Sequence, residues 1–316
     1  MAPTVVVVPQ SGYINRLQAI ASAAVLADEL ETDWCVVWRP SSVAPATATQ
    51  VFDTSFVGRR FRSEHEISES YGVDLDHIPL YLSEDRNNAV LYLRGHDRGE
   101  QAFMEDLRAR LRGRPSLRCL VIVAGGKFDL LSPERSAEAV ARRRDFYRRL
   151  RFVPAIEERV ESLTQGRSPF VGLHLRYTDR SLQSPSRKAI SRAVVRLAET
   201  QETSQVFIAA DSLTIRDLWI DRLRSCGLEP WFQNLAAIDR SSGAAVVDAI
   251  TDWRILTRAR AVAYFRESSF GEEAAVGSGA FGASVGIRAS GGRLLSNRAR
   301  YHWSNLVTYP RRHWLS

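Results

Sequence analysis

The chain has 316 residues, 45% hydrophobic and 25% charged, which is ordinary globular usage and enough for about two domains. These proportions exclude disordered and collagen-like chains, and three scattered cysteines, Cys35, Cys119 and Cys226, exclude a disulfide scaffold. The net charge is +7, and the 43 basic side chains include only two lysines, Lys127 and Lys188, leaving 41 arginines.

Val5 to Val8 is a continuous β-branched run that predicts a buried parallel strand. Pro9, Ser11 and Gly12 break it. From Asn15 the apolar positions Leu17, Ile20, Ala21, Ala24, Val25 and Leu30 recur at helical spacing, and a strand follows at residues 35–38. The chain therefore opens with a βαβ unit whose first loop is residues 10–14. Residues 39–86 read as irregular. Strands are predicted at 89–93 and 117–123, with a helix at 101–111 between them. Ser132, Pro133 and Glu134 supply an N-cap, a proline at the first helical position and an early acid, so a helix runs from there to about Leu150. Its run Arg142, Arg143, Arg144, Arg148 and Arg149 is interleaved with Phe146, Tyr147 and Leu150. That pattern is a solvated amphipathic helix rather than a nucleic-acid patch.

Pro154 starts a helix over 155–163. Beyond it, strands at 169–176, 205–210, 228–232 and 261–265 alternate with helices at 187–200, 213–226, 245–258 and 270–276. Strand-helix alternation with short connections predicts an α/β fold of parallel, doubly wound sheets. The two halves share this grammar, so the domains are placed at 1–153 and 154–316. No stretch approaches 18 apolar residues, and the N-terminal run is too short for a signal peptide, so no membrane span and a reduced, cytoplasmic setting are expected. Six dispersed histidines form no HExxH, so no metal is expected. GxGxxG and Walker A loops are absent.

Three strand ends carry polar residues on one predicted rim. In the run from Val171 to Asp179, Leu173 and Leu175 share one strand face, and His174 and Arg176 the other. Arg176 can grip phosphate oxygens as a fork, or pair with Asp179 or Asp211. Asp211 and Ser212 end the next strand, as ligand groups or as the N-cap of the following helix. Arg266, Ser268, Ser269 and Phe270 stand at a third strand-to-helix turn, where a helix N-terminus favours an anion. Asp248 and Asp252 lie four apart on one helix, by default on a solvated face. Tyr301, His302, Trp303, His313 and Trp314 read as packing aromatics.

Taken together, these pieces resemble the fucosyltransferase-like superfamily, including the α-1,6- and nodulation-type fucosyltransferases and the protein O-fucosyltransferases. The segment Gly12-Tyr13-Ile14-Asn15-Arg16-Leu17 resembles its G-x-G-N-R/Q-L motif. His174-Leu175-Arg176-Tyr177-Thr178-Asp179 resembles H-x-R-R-x-D. Asp211 resembles the acid of the next strand motif. Asp252, Ile255, Leu256 and Thr257, followed by Ser268-Ser269-Phe270, resemble the last motif.

The resemblance implies two Rossmann-like domains of GT-B type facing a cleft. It implies an inverting, metal-independent transfer of a sugar, commonly fucose, from a GDP-sugar to a glycan, peptide or small natural product. A chain short for that family and without a membrane anchor suits a soluble bacterial enzyme. By position, the second domain holds the donor and the first shapes the acceptor side. Arg176 then stabilises the leaving diphosphate, and His174, Asp179, Asp211, Ser212, Asp252, Ser268, Ser269 and Phe270 surround the donor. Gly12, Asn15 and Arg16 face the cleft.

Three departures stand out: Tyr177 replaces the second motif arginine, Ile14 replaces a motif glycine, and Leu182-Gln183-Ser184 lie where relatives have a glutamate. The catalytic base is thereby left open among Asp53, Glu64, Glu66 and Asp179. A non-catalytic nucleotide- or glycan-binding relative and a nucleic-acid-binding protein are the competing readings.

Overall fold

The computed structural model describes residues 3–73, 75, 90–94, 117–128, 136–167, 169–177, 184–235, 242–266 and 268–289. The expected helix at 101–111, the helix start at 132–134, Asp179 and the C-terminal aromatics lie outside them. The described residues fall into two compact units. Unit 1 takes in Met1–Gly166, Asp239–Arg258 and Glu273–Gly279, so it draws on both sides of residue 153; unit 2 holds the remainder.

Unit 1 contains an all-parallel sheet of β1 (Thr4–Pro9), β2 (Trp34–Val36), β3 (Val90–Arg94) and β4 (Cys119–Ala124), ordered β2-β1-β4-β3. The valine run of β1 is fully buried between neighbours on both sides, as its unbroken apolar pattern requires. Helix α1 (Tyr13–Glu29) buries every side chain from Arg16 to Ala27, and its many alanines suit such close surroundings.

The segment expected to be irregular holds three short helices: α2 (Ala48–Val51), α3 (Thr54–Arg60) and α4 (Glu64–Tyr71). Local capping starts the latter two. The Asp53 carboxylate accepts from the Ser55 N–H at 2.8 Å, and Ser63 and Glu66 form a reciprocal capping box. Phe52, Phe56 and Phe61 cluster with Trp38 and anchor the segment.

Among the described residues, unit 1 also holds α5 (Ser136–Arg149), α6 (Pro154–Thr164) and α9 (Gly243–Leu256). Helices α6 and α9 lie side by side and are laced by Arg159–Asp248 at 2.7 Å, Arg254–Glu157 at 3.3 Å and Arg258–Glu161 at 2.7 Å. Such partly exposed pairs contribute roughly 0–1 kcal/mol each, so they set register more than stability.

Cys35 and Cys119 lie in the unit 1 core, where burial pushes both thiols up to about 12. Cys226 is exposed. Native protein at pH 8 should therefore take up one equivalent of iodoacetamide, at Cys226, by mass spectrometry of the intact chain. Rapid labelling of a second thiol would contradict this packing. Because the folded thiol values lie above the ordinary 9.0, their contribution to stability is full below pH 9 and is lost as pH rises towards 12.

Unit 2 contains a second all-parallel sheet of β5 (Val171–Leu175), β6 (Gln205–Ala210), β7 (Glu229–Trp231), β8 (Val262–Phe265) and β9 (Val285–Ile287), ordered β7-β6-β5-β8-β9. Strand β9 was not expected. Val171, Leu173 and Leu175 all point to one face, as the alternation predicts. There they pack with Ile190 and Val194 of α7 (Arg187–Thr200) and Trp219 and Leu223 of α8 (Leu213–Arg224). Helix α10 (Ser269–Ser278) follows β8, its first turn in unit 2 and its remainder in unit 1.

Candidate functional site

In unit 2 the chain runs from β5 outward through β6 and β7, then returns to lay β8 and β9 on the other side of β5. Such a reversal leaves a crevice at the carboxyl ends of the two strands where it occurs, here β5 and β8. His174 is the second-last residue of β5 and only 5% exposed. Its ring stacks on Phe270 at 4.5 Å and 17°, and its Nδ1 lies 3.3 Å from the Ser268 hydroxyl oxygen. Helix α10 begins at Ser269, so the positive end of its dipole stands beside this stack and favours an anion.

A glycine makes that approach possible. A Cβ on Gly271 would sit 2.3 Å from the Tyr264 Cβ and 3.3 Å from His174 Nδ1. Gly271→Ala should push α10 away from β8, break the His174–Phe270 stack and cost about 1–3 kcal/mol, as overpacking does. Thermal unfolding checks this, and an unchanged midpoint would show that α10 is not tightly seated.

The other rim residues hold the backbone around Arg176. The Asp211 carboxylate accepts the Tyr177 N–H at 2.9 Å and ties the end of β6 to the chain leaving β5. Ser212 is the N-cap of α8, accepting from the Ile215 N–H at 3.4 Å. The Tyr177 ring packs edge-on against Phe265 at 5.5 Å. Arg176, half-buried, thus stands between a stacked histidine and an anchored tyrosine. Arg266 is exposed.

The structure gathers His174, Arg176, Asp211, Ser212, Ser268, Ser269 and Phe270 on one rim of unit 2, and places Asp252, Gly12, Asn15 and Arg16 in unit 1. Asp252 is buried rather than on a solvated face, because its side of α9 packs into the unit; Asp248, one turn earlier, is partly exposed and pairs with Arg159. Arg16 is 2% exposed. It donates from Nε to the Ser11 carbonyl at 2.9 Å, from Nη1 to the Arg39 carbonyl at 2.7 Å and from Nη2 to the Ser41 hydroxyl at 3.0 Å, and lies over the Trp38 ring. Burial pulls its pKa below the usual arginine value. Arg16 is therefore a clamp on the 10–12 loop, and it holds Ser11 at a φ of 68°. That loop ends β1. The unit 1 sheet reverses between β1 and β4, so this loop and residues 125–127 flank its own crevice, and the Gln10 N–H donates to the Ala124 carbonyl at 2.7 Å. Lys127, half-buried, follows the end of β4 by three residues.

The carboxylates considered as a base in the first 70 residues have structural work. Asp53 caps α3, and hydrogen bonds from Ser55 hold its carboxyl below the usual range. The Ser63 N–H does the same for Glu66. Glu64 takes a fork from Arg39 at 2.6 and 2.8 Å. A general base works best with a pKa near the working pH, which the lowered values of Asp53 and Glu66 do not offer.

Among the described residues, no group of three or more His, Cys, Asp or Glu is placed to hold a metal ion, and no helix is long and apolar enough to cross a membrane.

No protein-family model matches the sequence, and no curated protein matches it. Solved structures do match. POFUT1 in complex with GDP-fucose superposes with a TM-score of 0.53 at 14% identity, covering 92% of this chain and 97% of that one. Fucosyltransferase NodZ from Bradyrhizobium gives 0.55 at 16% identity, covering 87% and 92%. A variant of Arabidopsis thaliana FUT1 in complex with GDP gives 0.62 at 13% identity, covering 93% and 72%. With two parallel α/β sheets and this agreement over most of its length, the chain has the fucosyltransferase-like fold of the GT-B class.

Proposed function

We propose that the protein is an inverting, metal-independent glycosyltransferase that moves a sugar, fucose in the first instance, from a GDP-sugar to a hydroxyl of a glycan, peptide or small natural product. The observation that carries this reading is the buried His174–Phe270 stack with Ser268, beside Arg176 and the start of α10. It occurs in a fold whose solved members POFUT1 and NodZ were crystallised with GDP-fucose or GDP. On this reading unit 2 is the donor side and unit 1 the acceptor side.

The acceptor oxygen attacks the anomeric carbon as the bond to the diphosphate breaks. The electron pair leaves with GDP, and the acceptor proton passes to a base or to solvent. The Arg176 guanidinium meets the growing phosphate charge. The N–H groups opening α10 provide a second anion contact, and the His174–Phe270 pair packs against the nucleoside. Asp211 acts by fixing the backbone that carries Arg176.

A thermal-shift series of nucleotides and nucleotide sugars tests the reading. GDP or GDP-fucose at about 100 times its Kd should stabilise the protein by about 2.7 kcal/mol, and release of GDP on adding acceptors should follow. Absence of any shift with guanine nucleotides would overturn it. GDP binding without transfer to any acceptor would favour a non-catalytic relative.

A further inference from the structure

His174 meets Ser268 through one ring nitrogen, and that contact bears on which nitrogen carries the proton. Nδ1 lies 3.3 Å from the Ser268 Oγ. Both residues are buried, at 5% and 1% exposure. Both belong to unit 2, as do Phe270, stacked on the ring face, and Gly271, where a Cβ would lie 3.3 Å from the same nitrogen. Ser268 and Gly271 thus close the Nδ1 edge of the ring, so a ligand contact by a ring nitrogen falls to Nε2.

A neutral imidazole has one N–H and one bare nitrogen, and a hydroxyl can donate or accept. Two arrangements satisfy the contact. In one, the Ser268 O–H donates to a bare Nδ1, and the ring proton sits on Nε2. In the other, Nδ1–H donates to the Ser268 oxygen, and the hydroxyl hydrogen needs an acceptor elsewhere. Among the described residues the Ser268 hydroxyl has no second partner. The second arrangement therefore buries an unmade O–H bond, which biases the ring towards the first by about tenfold or more. The helix adds to this bias. Ser268 immediately precedes α10, and its carbonyl accepts the Glu272 N–H at 3.0 Å. The positive end of the helix dipole lies beside Nδ1 and favours a lone pair there over an N–H.

We infer that Ser268 is a positioning residue that holds His174 in its Nε2–H tautomer, so that this ring meets a bound ligand as a hydrogen-bond donor. That the ligand is the nucleotide of a GDP-sugar rests on the reading above.

Nitrogen NMR of the histidine side chains tests this, with His174 assigned by His174→Gln and spectra taken at pH 8, above the ordinary histidine pKa of about 6.5. Wild type should show Nδ1 in the range of a bare ring nitrogen and Nε2 in that of a protonated one. In Ser268→Ala the two signals should move towards each other as the ring samples both tautomers. Ser268→Thr, which keeps a hydroxyl, should return them to the wild-type positions. Calorimetry with GDP should follow the same order, with affinity lowered about fivefold in Ser268→Ala, the scale of one net hydrogen bond, and recovered in Ser268→Thr. A protonated Nδ1 in wild type would overturn the inference, and that spectrum decides even if Ser268→Ala does not fold. Unmoved nitrogen signals in a folded Ser268→Ala would overturn it too and leave Ser268 a packing residue. If wild type binds no GDP while Ser268→Ala still shifts the His174 signals, the positioning role stands and the GDP-sugar reading falls.

Discussion

Replacing Arg176 by alanine is expected to lower kcat by about 10²–10³-fold, or about 2.7–4 kcal/mol, the usual cost of losing one preorganised donor to a developing charge. The donor's KM should change much less. On the proposed transfer, the diphosphate is already anionic in the bound donor but its charge grows as the bond to the sugar breaks, so a fixed guanidinium would bind the transition state more tightly than the ground state. The fold supplies the fixing: His174 before Arg176 is held by Phe270, and the Tyr177 N–H after it by Asp211. Arg176→Lys keeps the charge but loses the planar fork, so it should recover only part of the loss. Asp211→Asn should act in the same direction but less strongly, since it disturbs the support rather than the donor. Full turnover in Arg176→Ala, measured as GDP release with saturating acceptor, would remove this arginine from the mechanism.

The central strands were legible because a parallel strand buried on both faces must be almost wholly apolar, and Val5 to Val8 and residues 205–210 satisfy that without ambiguity. The polar ends of β5, β6 and β8 stood out against that background, and the strand order then placed them on one rim. Less legible was anything decided by partners distant in sequence. Strand β9, at Val285–Ile287, is short and its first two residues are exposed, so no period marks it. The helices of 48–71 are brief, although the spacing of Ser63 and Glu66 was a readable capping box.

The arginine run of α5 shows the limit most clearly. Arg143 lies four residues from Ala139 and from Tyr147 and three from Phe146, on the buried stripe itself. Helical spacing alone would have placed it inside; what it could not supply was the carboxylate waiting 130 residues later. Arg16 repeats the lesson, since its three acceptors come from two separate stretches of chain. Of the 41 arginines, Arg142 and Arg143 of α5, Arg159 of α6 and Arg254 of α9 are engaged in ion pairs, so the excess of positive charge does not itself describe a binding surface.

Replacing Glu273 alone by alanine should be among the most damaging substitutions in unit 1. Its cost is expected at about 3–5 kcal/mol, because Arg143 would remain buried without a counter-charge and Gln18 and Tyr147 would each lose an acceptor. In a unit of this size that corresponds to a fall in the unfolding midpoint on the order of 10 °C. Adding Arg143→Met to the same chain should restore part of the loss, since it removes the buried charge left without a partner. The two substitutions should therefore be strongly non-additive in a double-mutant cycle read by thermal unfolding. Additive losses would mean that Arg143 and Glu273 stabilise the fold through separate contacts and that the carboxylate is not the centre of the network.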